Sequence, residues 1–324
     1  MQRSTSILDL SLIFLPHFIE VSLIFFLFFF LGILSRHCAK ASTVSTVVTF
    51  EMAAESKSSS TTESSSALKV SKIGILGTGD VGCALTRGFI CEGYSVLMGT
   101  RKASEDKRKD LIAKITTQGV DKEENAAVAK ILNSDEASSS SSSSKEKKFV
   151  LDTFNKVACN ADLLVLAVSW AAVDAVIATI KEHVKSKVLI DATNPIKVGG
   201  DPPRALGLFE MKDSSCKSAG EYVQKQLGSE CKVVKCFNII NWKFMTNGTR
   251  YFKEPKPLMY VSGNDQQSKQ WVLDLVTKWN FDAHDLGGIE TSHYSEVGCY
   301  LWVHHMFANG KFNTEHALAL PRNW

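Results

Sequence analysis

From residue 68 onward, short unbroken apolar runs alternate with stretches of helical apolar spacing. Ile73, Ile75 and Leu76 form a run long enough for a buried strand and too short for a helix, and Cys83–Ile90 follows with helical spacing. Tyr94–Met98 reads as the next strand, with short helices over Asp110–Ile115 and Asn125–Leu132. Structure resumes at Phe149, where Thr153–Ala161 reads as a helix delivering Asp162–Val168, a continuous apolar strand of the parallel-sheet kind. Further strands are predicted at Val188–Asp191, Lys232–Phe237, Leu258–Ser262 and Phe281–Leu286, with helices at Ala171–His183, Ser218–Leu227 and Gln266–Trp279. Glu290–Phe307 closes the chain as a helix with Val297, Leu301 and Phe307 partly on one face. Strands alternating with helices predict an α/β fold, a doubly wound and mainly parallel sheet with a short helical C-terminal segment.

Three stretches break this pattern. Residues 1–51 hold an apolar segment, residues 10–34, close to the roughly 20 residues that a bilayer span requires. It has three readings: a signal peptide ending near Ala39-Lys40-Ala41, a single membrane tether, or a leader ahead of a working start at Met52. Arg36, His37 and Lys40 after the segment, against Arg3 and Asp9 before it, would leave the following domain cytoplasmic. Residues 52–67 are a polar Ser/Thr linker, and residues 134–148, with their serine run, read as a disordered insertion. This leaves 68–286 for the sheet domain and 287–324 for the C-terminal helical segment.

Composition changes this picture only slightly. A formal charge of +3 over 324 residues gives no nucleic-acid footprint. The eight cysteines contain no C-x-x-C pair, so reduced, buried thiols are expected and no structural zinc site. Glu290-x-x-His293 lacks the second such pair that a di-metal helix motif needs, and adjacent His304 and His305 point apart on a helix; no metal is assigned.

The chemistry begins where the first strand ends. Gly77-Thr78-Gly79-Asp80-Val81-Gly82 follows that strand directly and opens a helix, the context that turns a glycine pattern into a Rossmann dinucleotide fingerprint. Gly77 makes the tight turn, Gly79 lets backbone approach a pyrophosphate, and Gly82 lets helix and strand pack closely. The free N–H groups at the helix start receive the phosphate charge. The bland alternative is a glycine-rich turn of another α/β protein.

About twenty residues further on, an NAD site ends its second strand in a carboxylate that reads the ribose 2′-hydroxyl. Here Gly99 is followed by Thr100, Arg101 and Lys102, a set suited to a 2′-phosphate: Arg101 binds bidentately and Lys102 acts as a point charge. Against this stands an ordinary solvated basic loop, since Lys107, Arg108 and Lys109 continue the charge. The expected cofactor is NADP(H), and that expectation, with unpaired cysteines, ranks the signal peptide last.

Val168, Ser169, Trp170, Thr193 and Asn194 lie at or next to the carboxyl ends of predicted strands, where such sheets bind ligands. Asn194 either orients the nicotinamide amide or is a turn residue before Pro195. Ser169 and Trp170 either touch cofactor or cap a helix and fill core. No Tyr-x-x-x-Lys pair, His–Asp dyad or Gly-x-Ser-x-Gly elbow stands out, which suits a reaction whose chemistry the cofactor supplies.

Gly77–Gly82, Gly99-Thr100-Arg101, Leu166–Trp170, Asp191-Ala-Thr-Asn-Pro195, Ser218–Glu221, Val234–Asn238 and Ser262–Asp265 fall in one fixed order. That order resembles the deazaflavin (coenzyme F-420)-dependent NADP reductase family, whose nucleotide domain also occurs in pyrroline-5-carboxylate reductases and six-span ferric reductases. The resemblance covers nearly all of residues 69–324. It implies an NADP-binding Rossmann domain, a homodimer in many members, and hydride transfer to a flat cofactor or small acceptor. By the same resemblance, Thr78–Val81 hold the pyrophosphate, Thr100 and Arg101 the 2′-phosphate, and Ser169 and Trp170, beside Val168, flank the nicotinamide ribose. Asn194, Pro195 and Asn238 line the transfer pocket, with Thr193 next to them.

Two departures from the family pattern stand out. The serine runs weigh against a deazaflavin as the natural acceptor, and residues 199–204 with 211–217 form an acceptor-side loop without a named counterpart. The functional expectation is an NADPH-dependent oxidoreductase acting on a flavin-like, quinone-like or other small acceptor. The alternatives are a non-catalytic NADP(H) sensor or scaffold, and an imine reductase of the pyrroline-carboxylate type.

Overall fold

The computed structural model describes residues 68–119, 122–138, 147–200, 204–209, 211–250, 252, 254–307 and 313–320. The candidate tether at 10–34 and the linker at 52–67 lie outside them, as does most of the serine-rich insertion. Among the described residues no helix is long and apolar enough to cross a membrane.

The first half of the chain runs β1 (Lys72–Leu76), α1 (Asp80–Cys91), β2 (Ser95–Thr100), α2 (Glu105–Thr117), α3 (Lys122–Ser138), β3 (Phe149–Thr153), α4 (Phe154–Asn160) and β4 (Leu163–Leu166). It continues with α5 (Val173–Ile180), β5 (Val188–Asp191), β6 (Ile196–Gly199), β7 (Arg204–Leu208), α6 (Ala219–Leu227) and β8 (Lys232–Lys235). The last elements are β9 (Leu258–Gly263), α7 (Gln266–Lys278), β10 (Asp282–Gly287) and α8 (Ser292–Met306).

Eight strands form one sheet in the order β10-β9-β8-β5-β4-β1-β2-β3, while β6 and β7 make a separate antiparallel hairpin. The six strands from β3 to β8 are parallel, and β1, β4 and β5 are buried on both faces apart from half-buried Lys72, which explains their near-continuous apolar sequences. The chain winds outward from β1 in one direction to β3 and in the other to β8. A crevice therefore opens between β1 and β4, at the carboxyl ends, where the strand order reverses. β9 joins β8 antiparallel through two residue pairs, Val234↔Gly263 and Lys235↔Ser262, and β10 then runs parallel to β9. The doubly wound, mainly parallel α/β architecture expected from the sequence is what forms.

Core packing follows on both faces. One cluster gathers Ile73, Ile75, Phe89, Val96, Met98 and Trp279, and the other Leu76, Leu164, Leu166, Trp170, Val173 and Tyr222. Each such side chain, fully buried, contributes about 1.5–3 kcal/mol of transfer free energy. α1 is buried from Gly82 to Ile90 because α2 and α3 cover it from outside. Arg87, inside that layer, donates to Ile115 O at 3.3 Å and lies beside Glu124.

Several expectations need correction. α3 continues as helix through Ser138, so the first part of the 134–148 insertion is ordered helix, while residues 139–146 are outside the described set. The β6–β7 hairpin, to which the sequence assigned no strands, has strands of four and five residues, each with a glycine, below the length at which alternation is legible. In α8 the buried face is Ser292, Ser295, Glu296, Cys299, Trp302 and Val303, whereas Leu301 is 59% exposed. Of the expected face only Phe307 packs against the core, because the interior presents polar partners to Glu296 and the two serines. The thiol expectation holds for five of the seven described cysteines, but Cys91 and Cys159 are exposed; none of the seven forms a disulfide.

Candidate functional site

The glycine turn sits at the mouth of the crevice. Gly77 has φ +132, and a Cβ there would stand 2.2 Å from Ala167 O, on the residue following β4. A Cβ on Gly82 would stand 2.3 Å from Gly77 O, so the close fit of α1 against the turn requires glycine at that position also. Gly79 differs: nothing lies within 4 Å of the position its Cβ would take. Gly79 caps α1 without any side-chain hydrogen bond, and the first backbone bond back to it comes from Cys83 N at 2.9 Å. The first-turn N–H groups of Asp80, Val81 and Gly82 thus face an open space with no partner within the helix. This is a cradle for an anion, shaped by two glycines that pack and one that leaves room.

The charges around it suit that use. Asp80 places a carboxylate on the first turn, and Lys114 of α2 pairs with it at 2.7 Å, offsetting a charge that would repel phosphate. Cys83 lies under the turn, its thiol 3.9 Å from Thr78 O, and burial pushes its pKa up to about 11, so the cradle contains no thiolate. Val81 is half-buried against the core and serves through its backbone.

At the end of β2, Thr100 is buried and accepts a hydrogen bond from Lys107 Nζ at 2.5 Å. Arg101 and Lys102 are exposed and have no partner among the described residues. Beside Thr100 the structure also brings Lys107, which the sequence offered only as one charge in a basic run. Its helical offset from the Ser104 cap aims it back at Thr100.

Across the crevice, Val168 is half-buried and Ser169 exposed, with no capping bond from the serine side chain. Trp170 is 4% exposed and packs edge-on against Tyr222 at 5.5 Å, with Lys212 Nζ 5.7 Å from its ring centroid. Its indole fills core, the second of the two roles open to it from the sequence.

Asn194 and Asn238, both expected at the transfer pocket, hydrogen-bond to each other. Asn194 Nδ2 donates to Asn238 O at 2.8 Å, and Asn238 Nδ2 donates to Asn194 Oδ1 at 3.1 Å. Pro195 is buried beside them, and its carbonyl accepts from Phe209 N at 2.6 Å, fastening the hairpin to this corner. Asn238 Oδ1 and Thr193 Oγ1 are buried acceptors without a partner among the described residues. Phe237 precedes Asn238 in the left-handed region at φ 64, a conformation that a bulky residue holds only when its surroundings enforce it.

Two residues before Phe237 stands a cluster that was not foreseen from sequence. Lys235, at the end of β8, is fully buried and uses all three donors: Asp191 Oδ2 at 3.0 Å, Glu296 Oε1 at 3.0 Å and Thr193 O at 2.6 Å. Asp191 Oδ1 in turn accepts from Thr193 N at 2.9 Å, and Glu296 accepts from Ala219 N and Gly220 N at the start of α6. Burial disfavours the Lys235 charge, but Asp191 and Glu296 more than offset it and raise its pKa. The available signal was a lysine ending an apolar strand, Val233-Val234-Lys235. Open hollows of about 410 and 530 Å³, beside Trp279 and Asp265, contain none of these residues.

A glycine cradle at the strand-order reversal, with its anion-ready helix start, defines a dinucleotide-binding protein of the Rossmann class. Residues 72–155 match the family described as NADP oxidoreductase, coenzyme F420-dependent. An F420-dependent NADP reductase of Methanothermobacter thermautotrophicus is 30% identical over 176 residues, which are 54% of this chain and 62% of that protein. The alignment thus spans less than two thirds of that relative. A crystal structure of a putative F420-dependent NADP reductase from an Arthrobacter species matches at 26% identity with TM-score 0.55, over 76% of this chain and 97% of that one. A Plasmodium falciparum pyrroline carboxylate reductase with NADP bound matches at 15% identity and TM-score 0.39, over 68% of this chain and 59% of that one, too remote to bear on function.

Proposed function

We propose that this protein is an NADPH-dependent oxidoreductase that exchanges hydride with a small planar acceptor, flavin-like or quinone-like. The observation behind this reading is the end of β2: no carboxylate follows it, and Arg101, Lys102 and Lys107 stand around Thr100 where a ribose 2′-phosphate would lie. Arg101 and Lys102 supply donors to that phosphate, and the first turn of α1 supplies backbone N–H groups to the pyrophosphate. Asn194, held by Asn238, orients the carboxamide end of the cofactor at the crevice floor. Bound there, the nicotinamide supplies the hydride, and the chain's part is proximity and orientation. The curated relative's description as an NADP reductase supports the same reading.

The test is a fluorescence titration with NADPH and NADH of the wild type and Arg101→Ala, followed by an acceptor panel of flavins, quinones and a cyclic imine. Tighter NADPH binding, lost in the variant by about 1–3 kcal/mol, and NADPH consumption with a panel member support the proposal. Equal binding of NADPH and NADH overturns it. The mutual pairing of Asn194 and Asn238 favours one second reading, a sensor that binds NADP(H) without turnover. Steady NADPH consumption with any acceptor excludes that sensor.

A further inference from the structure

We infer that Lys235, with Asp191 and Glu296, is a positioning cluster that sets the Thr193–Asn194 turn for the nicotinamide half of the cofactor. The inference rests on the NADP(H) reading above and extends it to residues that touch no ligand.

The geometry is specific. Thr193 is gripped at both ends of its backbone, its N–H by Asp191 Oδ1 at 2.9 Å and its carbonyl by Lys235 Nζ at 2.6 Å. The next residue is Asn194. On the other strand, Lys235 lies three positions before Asn238, and Cys236 N donates to Asp191 O at 3.1 Å. One ammonium therefore fixes the starting points of both segments whose carboxamides meet in the crevice. Glu296 extends the cluster outward: it holds the ammonium at 3.0 Å and caps α6 through Ala219 N and Gly220 N, at 2.9 and 3.2 Å.

The energetics point the same way. A lysine and two carboxylates with 0–1% exposure carry a desolvation penalty of several kcal/mol per ion, and well-packed apolar replacements for such clusters are often equally or more stable. What an apolar replacement cannot do is hold a backbone carbonyl and an N–H at fixed positions. Here every ammonium proton has an acceptor, and both carboxylate oxygens of Asp191 and of Glu296 have a donor. A fully satisfied network is rigid as well as tolerable.

The experiment compares two probes, NADPH and 2′,5′-ADP, which occupies only the glycine cradle and the basic end of β2. Wild type, Lys235→Met and Glu296→Gln are titrated with both, with the 2′,5′-ADP stoichiometry reporting the folded fraction. The expected result is NADPH affinity about tenfold weaker in Lys235→Met, in the range of one lost charged hydrogen bond, with 2′,5′-ADP affinity unchanged. Glu296→Gln, which keeps shape and removes one charge from the cluster's outer edge, shows a smaller loss in the same direction and decides the matter if Lys235→Met does not fold. Equal losses for both probes, or no loss for either, overturn the inference while the NADP(H) reading stands. Failure of 2′,5′-ADP to bind the wild type overturns the NADP(H) reading and this inference with it.

Discussion

Lys107 Nζ lies 2.5 Å from Thr100 Oγ1, so the first turn of α2 is folded back over the end of β2 and adds a third cation to Arg101 and Lys102, which follow that strand. Ser104 makes this possible by accepting from Lys107 N at 3.3 Å, which starts the helix at the register that points Lys107 inward.

Lys107→Ala is expected to weaken NADPH binding by about 1 kcal/mol and leave NADH binding unchanged. Because Arg101 and Lys102 are exposed, the preference for NADPH narrows as salt rises. Fluorescence titrations at two ionic strengths check both points, and a parallel loss for NADH would refute the assignment.

The three glycines of the turn separate fold from binding. Gly77→Ala forces a side chain into φ +132 and against Ala167 O, and is expected to destabilise by at least about 1–3 kcal/mol. Gly79→Ala has extended backbone at φ −76 and open space, so its melting changes little, within about 0.5 kcal/mol, while nucleotide binding falls sharply. Thermal melts beside NADPH titrations of the two variants test the contrast; unimpaired binding by Gly79→Ala would show that no phosphate lies there.

Asp265 caps α7 and ties it to β8. Its carboxylate accepts from Ser268 N at 2.8 Å and Ser268 Oγ at 2.5 Å and pairs with Lys232 at 3.1 Å. Burial pushes its pKa up, but the Ser268 bonds and Lys232 together hold it below the usual carboxylate range. A depressed pKa means stabilisation that is complete above the ordinary Asp range and disappears as pH falls through the folded value. Asp265→Asn is therefore expected to cost about 1 kcal/mol at neutral pH, with the difference closing below about pH 4. Urea melts of both proteins across that range are the check, and a penalty that stays constant into acid would contradict the charge-based account.

Burial also ranks the thiols. It raises the pKa of Cys231 and of Cys299 to about 12, while Cys91 and Cys159 are exposed. Brief alkylation near pH 8 followed by peptide mass spectrometry should label Cys91 and Cys159 and spare Cys83, Cys216, Cys231, Cys236 and Cys299 in the native protein. Early labelling of Cys83 would mean that the turn beneath the cradle opens in solution.

Signals confined to a few neighbouring residues were legible in the sequence. The run from Lys72 through the three glycines into Cys83 encodes strand, turn and helix within one window, and the missing carboxylate after Gly99 marks the cofactor preference locally. Asn194 before Pro195 and Asn238 after Phe237 could be picked out as strand-end residues. Their pairing across 44 positions could not. The same distance hides Asp191 from Lys235, and Glu296 looks like a solvent residue on its own helix because its partners sit on β8 and α6. Trp170 shows the converse: its place at a strand end left cofactor contact and core filling both open, and its packing partner, Tyr222, lies far along the chain.

The reversal of direction at β9 has a dynamic consequence. β9 and β8 share two residue pairs, both at the carboxyl end of each strand, whereas β1 and β4, or β4 and β5, share four. The sheet thus has a line of parting, spanned by side-chain links such as Lys232 to Asp265. Deuterium should enter β9, α7 and β10 as one block, ahead of the β1–β4–β5 centre, with the nucleotide cradle on the slow side of that boundary.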